Sequence, residues 1–197
     1  SFSETESKGR RHAEDEDSIY SEFLGLYEDD IQRIKLSKAY RRSIYKTQVV
    51  QGIYNQNIRN RNSHTIEVED LSIKIAKILG LNANLCAAIA DGHDLGHTPY
   101  GHEGEQFLSS VSGKQLTHNI FSCVLLQRIE RKGKGVNPSY ETIQGISLHS
   151  RGDRDLLPIM ACTPHEYNIV MYADKIAYTF SDVNDIMRFS QNNKLSF

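Results

Sequence analysis

The 197-residue chain predicts an all-α fold: one helical domain over residues 18–197 behind a polar stretch at residues 1–17. Two observations lead there. Apolar residues recur at helical spacing in segment after segment, and residues that start or stop helices stand at the margins of those segments. No alternating strand pair, internal repeat or low-complexity tract is evident. A hydrophobic fraction of 39% with 24% charged residues is ordinary for one globular domain with a full-sized core.

The elements follow in order. The lead-in SFSETESKGRRHAEDED is polar and mixed in charge, and reads as a flexible tail in which His12 is solvated. In RIKLSKAYRRSIYK, Leu36, Tyr40 and Ile44 fall four apart, with Lys and Arg around the other sides. TQVVQGIYN places Val49 beside Val50 and is the nearest thing to a strand signal, a short hairpin or extended loop near residues 47–57. In HTIEVEDLSIKIAKILG, Val68, Leu71, Ile75, Ile78 and Leu79 form an apolar stripe that Gly80 ends as a helix C′ residue. Asn82 or Asn84 then caps the apolar helix ANLCAAIADGHD. THNIFSCVLLQRIE predicts a helix stopping at the loop GKGVNP, and YETIQGISLH and HEYNIVMYADKIAYTFSDVNDIM predict two more.

Bulk properties exclude several classes. A net charge of −2 gives no global attraction to nucleic acid or an anionic membrane. No apolar run reaches the roughly 20 residues a spanning helix needs, and the N-terminus has no signal-like apolar core. Cys86, Cys123 and Cys162 are scattered and odd in number, as expected of reduced thiols in a cytoplasmic protein. A chain that opens on Ser rather than Met and closes on QNNKLSF reads as processed or shortened.

Chemistry concentrates in GHDLGHTPYGHEGE, residues 92–105, where three histidines and three carboxylates alternate with four glycines and a proline. His93 and Asp94 are adjacent, so they converge on one ion only at a helix end or bend, which Gly92 and Gly96 would permit. His64 opens a helix upstream. Downstream, Asp174 stands between Ala173 and Ala177 on an otherwise apolar face, where a lone carboxylate is costly unless paired or metal-bound. Two imidazoles and two carboxylates suit Mn, Fe, Co, Ni or Zn better than Ca or Mg alone, and leave positions open for water or substrate. Taken singly, each has a plainer reading: His64 as a cap, His93–Asp94 as a surface pair, Asp174 as a solvated helix residue.

The blocks SKAYRRSIYKTQVV, RNRNSHTIEV, HDLGHTPYGHEGE, THN and HEYNIVMYADKIAY, in this order over roughly residues 20–185, resemble the deoxynucleoside triphosphate triphosphohydrolases (dGTPase-like) of the HD phosphohydrolase superfamily. The resemblance implies an HD-domain helical bundle with His64, His93, Asp94 and Asp174 as ligands of one divalent metal ion, Mg included. It implies that His102 and Glu105 form an acid–base pair, their three-residue spacing letting the carboxylate hold one ring nitrogen. It assigns His97 and His118 to the phosphates, Arg61 to phosphate contact, and Gln48 to the nucleoside side. Tyr178 and Asp182 follow Asp174 at i+4 and i+8 on one helix face, and the family sets these positions against the deoxyribose. His149 and His165 read as structural or supporting residues. The absence of GxxxxGK excludes a P-loop, so side-chain cations hold the phosphates, with Arg41, Arg42 and Lys46 nearby.

Two features depart from the family pattern: Phe121 stands where a Gln is usual, and family members are longer. The expected activity is hydrolysis of a dNTP at the α-phosphorus to deoxynucleoside and triphosphate. The alternatives are an HD phosphohydrolase for another nucleotide phosphoester and a non-catalytic nucleotide-binding regulatory subunit. Expected partners are the dNTP, other copies of the chain in a homo-oligomer, and nucleic acid or an allosteric nucleotide; no membrane is expected.

Overall fold

A computed structural model describes residues 2–12, 23–46, 60–151 and 163–193. Eight α-helices lie among them: α1 (Leu26–Lys35), α2 (Lys38–Ser43), α3 (Arg61–Leu79), α4 (Ala83–Gly92), α5 (Gly101–Ser112), α6 (His118–Val124), α7 (Tyr140–Leu148) and α8 (His165–Asn193). The described residues contain no strand; Arg10 and Ser139 form an isolated bridge. The all-α architecture is therefore as the sequence predicts. The hairpin expected near 47–57 and Cys162 lie outside the described residues.

The bundle is organised around α4. Its residues Leu85 to Gly92 are all buried, and it packs against α1, α3, α7 and α8. ANLCAAIADG is apolar nearly all round, as a helix enclosed on every side must be. Full burial of Leu85 and Ile89 contributes about 1.5–3 kcal/mol each. Asn82 caps it, its side-chain oxygen accepting from the Leu85 N–H at 3.0 Å. Gly80, at φ 67°, closes α3 as expected. Two of the three cysteines, Cys86 and Cys123, are buried free thiols.

Three elements differ from their sequence reading. The segment 33–46 breaks at Leu36–Ser37, because Ser37 caps a new helix by accepting from the Tyr40 N–H at 3.1 Å. The buried carboxylate of Glu130 accepts from the Lys38 and Ala39 N–H groups at 3.0 and 2.8 Å, an anion on the open donors of a helix start. Leu36 and Ile44 are left exposed. In α3 the buried row is His64, Val68, Ser72 and Ala76, so Ile78 and Leu79, expected to close the stripe, stand 81% and 61% exposed. Rows of residues four apart wind around a helix, and following that row carries the buried face away from Ile78 by the last turn.

The third difference lies in residues 2–12 of the N-terminal stretch, which pack rather than trail. Arg10, with a side chain 5% exposed, meets Asp29 at 2.8 Å and also Asp30, and donates to the Asn137 carbonyl oxygen at 2.8 Å. Asp30 further accepts from the Ser139 N–H and hydroxyl and from the Thr142 hydroxyl, and Asp29 accepts from Arg33. Glu141 holds Ser7 Oγ and the Lys8 N–H. The charges that made the stretch read as a tail are matched by buried acids on α1, which spacing along the chain does not show. His12 itself is exposed, its backbone paired with the Asn137 side chain.

Removing one partner of a buried charge pair leaves the other uncompensated. Arg10→Ala should cost about 2–3 kcal/mol, since Asp29 and Asp30 keep their remaining partners. Urea unfolding reads this as a lowered midpoint at unchanged slope; an unaltered midpoint would restore the tail reading.

Candidate metal centre and cleft

The C-terminal end of α4 delivers His93 and Asp94 into the middle of the bundle. His93 is fully buried, and its Nδ1 donates to the Ala90 carbonyl at 2.6 Å, which leaves Nε2 as the nitrogen with a free lone pair. That Nε2 has no hydrogen-bond partner and lies 3.5 Å from Asp94 Oδ1 and 3.8 Å from Asp174 Oδ1. His64, one turn into α3, brings its Nε2 to 2.9 Å from Asp174 Oδ1. Three helices thus bring together the four residues the sequence singled out. The donor set of two imidazoles and two carboxylates, with an orphaned imidazole nitrogen aimed between them, fits a divalent transition-metal ion. His64, His93 and Asp94 offer ligand atoms within 4.8 Å of one another.

The segment that follows α4 is tied to α6. Ser122 Oγ donates to the His93 carbonyl at 2.9 Å and accepts from the Gly96 N–H at 2.8 Å. A Cβ at Gly96 would collide with the α6 backbone at the His118 carbonyl and the Ser122 nitrogen. Gly96 serves close approach, therefore, where the sequence reading gave it a bend; φ is not positive there.

Electrostatics follow from this crowding. Burial pushes the Asp94 carboxyl up, but His93 and His97 outweigh it and hold it well below the ordinary carboxylate range. Asp174 is treated alike: burial opposes ionisation, and the His64 hydrogen bond with the nearby His93 favours it more. Arg61, 6% exposed, adds its Nη1 at 3.2 Å from Asp94 Oδ2.

Beyond the four lies a second cluster. His97, His102, Glu105 and His118 offer ligand-type atoms within 4.8 Å of one another. The pairing expected between His102 and Glu105 is replaced. Glu105 hydrogen-bonds His118 Nδ1 at 3.1 Å, and His97 Nδ1 approaches the same oxygen at 3.0 Å without hydrogen-bond alignment. The reason is burial: Glu105 turns inward, where its charge needs buried partners, whereas His102 in the first turn of α5 is exposed. Burial raises the Glu105 carboxyl, and the two imidazoles nonetheless keep it far below its usual value. His97 also lies 3.2 Å from Asp94 Oδ1 and stacks on His118, ring centroids 3.9 Å apart. Despite burial, Asp94 and Glu105 raise His97 above its ordinary value. His102 moves the other way: although the residue is exposed, its ring at the cleft wall is partly desolvated, and that desolvation and His97 lower it.

His64, Asp94, His97, His102, His118 and Asp174 line an open cleft of about 800 Å³, within the range of small-molecule sites. Arg61, Lys46, Lys175, Tyr45, Tyr100 and Tyr178 are also among its walls. Lys46 Nζ donates to the His97 carbonyl oxygen at 3.0 Å. Arg42, solvated as expected, lies outside it with Arg41. Gln48 and the Asp182 side chain lie outside the described residues, so of the nucleoside-side set only Tyr178, 45% exposed, is placed at the cleft. Tyr45 and Lys175 were missed by sequence reasoning; only their adjacency to Lys46 and Asp174 could have flagged them.

Elemental analysis after dialysis tests the centre. The wild-type chain is expected to retain one divalent ion per molecule. His93→Ala and Asp94→Asn should weaken retention by more than the roughly 10–100-fold that loss of a ligand's outer partner costs. Equal retention by both variants would place the ion elsewhere.

Comparison with known proteins agrees with this geometry. The HD domain family model matches residues 61–179, more than half of the chain and all four candidate ligands. A deoxyguanosinetriphosphate triphosphohydrolase-like protein of Desulfatibacillum aliphaticivorans is 39% identical over 185 residues, covering 92% of this chain and 52% of that protein. Proteins of the same name from Clostridium tetani and Geobacter metallireducens are 39% and 36% identical, covering 93% and 91% of this chain and 51% and 49% of theirs. The chain spans about half the length of the curated relatives it matches. Among the described residues no helix is long and apolar enough to cross a membrane. The match over the segment that builds the centre decides the family: this chain belongs to the HD domain family.

Proposed function

We propose that the chain is the metal-dependent phosphohydrolase portion of a nucleotide hydrolase, acting on a dNTP at the α-phosphorus to release deoxynucleoside and triphosphate. The observation that carries the reading is the set of His64, Asp94 and Asp174 lining a cleft with His93 buried behind them, beside the cations Arg61 and Lys46 and a histidine suited to proton transfer. The names of the relatives support a dNTP as substrate.

When bound, a divalent ion would neutralise phosphate charge and act as a Lewis acid. The chain's own residues do the rest. Arg61 and Lys46 attract the triphosphate and offset its charge, the role a P-loop would otherwise take. His97 stands between two carboxylates as a donor toward anionic oxygens. His102, whose shift keeps it neutral near pH 7, exchanges a proton at the reacting phosphate. Glu105 acts on His102 only through the charge it shares with His97 and His118. Tyr178 packs against the sugar, where its ring disfavours a 2′-hydroxyl, and Gln48 and Asp182 are proposed for the nucleoside side. Homo-oligomer formation, an allosteric nucleotide and nucleic-acid binding belong to this proposal as properties of the longer proteins to which the chain is similar.

Incubation with Mn²⁺ or Mg²⁺ and each dNTP, followed by chromatography, should yield inorganic triphosphate and deoxynucleoside. His102→Ala should lower kcat by roughly 10²–10⁴, the usual worth of general acid–base catalysis. Orthophosphate as product would favour another phosphoester. No product from any of the four with metal bound would refute the reading, and binding without turnover, indifferent to His102→Ala, would indicate a regulatory subunit.

A further inference from the structure

His149 ends α7 and is 1% exposed. Its ring stands edge-on to His93 at 5.0 Å and tilted to His118 at 5.2 Å. Its Nδ1 is 2.7 Å from the Ile146 carbonyl oxygen. A carbonyl only accepts, so Nδ1 carries the hydrogen. Its Nε2 is 3.3 Å from His118 Nε2. The other nitrogen of His118, Nδ1, lies 3.1 and 3.4 Å from the two Glu105 oxygens. An ionised carboxylate also only accepts, so His118 Nδ1 carries a hydrogen as well. One hydrogen remains for the Nε2···Nε2 axis, because two bare nitrogens or two N–H groups facing at that distance would repel. It sits on His118, whose charge the Glu105 carboxylate balances, rather than on His149, whose other nitrogen meets only the Ile146 carbonyl.

We propose that His149 is a positioning residue: its Nε2 accepts from the His118 Nε2–H, pinning the His118 ring between α7 and Glu105 of α5 and making it a donor at both nitrogens. The ring then has no lone pair with which to take up a proton. His97 differs: its Nε2 lies 3.2 Å from Asp94 Oδ1, while its Nδ1, 3.0 Å from a Glu105 oxygen, lacks hydrogen-bond alignment. Of the three imidazoles clustered with Glu105, only His102 is exposed. His149 thereby withdraws His118 from proton uptake in favour of the exposed His102, from a position buried behind His118. That consequence rests on the hydrolase reading proposed above; the hydrogen-bond assignment does not.

Long-range ¹H–¹⁵N correlation spectra of the histidine rings test the assignment without substrate, in metal-free and magnesium-containing buffer. In the wild-type chain His118 should show hydrogens on both nitrogens and His149 on Nδ1 alone. In His149→Phe the His118 Nε2–H signal should be lost to exchange, while His149→Gln, whose amide oxygen can accept, should restore it. Should His149→Phe fail to fold, the wild-type and His149→Gln spectra decide. A bare Nε2 on His118 in the wild-type chain overturns the proposal, as does a His118 spectrum unchanged in His149→Phe. Uptake of a second zinc ion that His149→Gln abolishes overturns it too, by making His149 a ligand. Loss of dNTP hydrolysis alone bears on the functional reading and leaves the spectra to stand by themselves.

Discussion

A carboxylate largely withdrawn from water must be matched by opposite charge or hydrogen bonds, and the cleft is organised by that constraint at Asp94 and Asp174. His64 answers Asp174 at 2.9 Å, and Arg61 and His97 answer Asp94 at 3.2 Å each. Between the two acids stands His93 Nε2, buried and without a hydrogen-bond partner. A cation between the carboxylates would satisfy that nitrogen and both acids together. The burial of α4 on all sides fixes where this happens, since it leaves His93 no route to solvent.

Catalytic potential and structural cost are coupled here. Gly96 lets α6 lie against the segment after α4, and Ser122 fastens the two backbones. That contact sets His118 beside Glu105 and within reach of His149. A small change of packing at α6 would therefore be felt as a change in the orientation of imidazoles in the cleft. The same economy explains why the ligands come from three separate places in the bundle: α3 and α8 supply one each, the C-terminal end of α4 supplies two, and helix packing brings them together.

Much of this was legible in the sequence, and the reasons differ by element. Caps are local chemistry, so Asn82 and Gly80 could be read directly. The apolar run of α4 spoke for a central helix because no face of it could meet water. Asp174 between Ala173 and Ala177 signalled a paired carboxylate, although its partners came from elsewhere in the chain. What escaped depended on distant partners. Arg10 reads as tail until Asp29 and Asp30 are folded against it. The Leu36–Ser37 break joins a local cap at Ser37, hidden in the sequence by the regular spacing of Leu36, Tyr40 and Ile44, to a carboxylate at Glu130, some ninety residues later. Glu105 chose His97 and His118 over the closer neighbour in sequence, because burial rather than spacing set the cost. His149 carried no local mark beyond its place at the end of an apolar helix.

The central claim is that His64, His93, Asp94 and Asp174 close on one cation. Anomalous diffraction from crystals of the chain grown with manganese tests it most directly. The account predicts a single strong peak bonded to both imidazole Nε2 atoms and to an oxygen of each carboxylate. A peak bound outside these four side chains, or the four pointing apart around an empty centre, would contradict it.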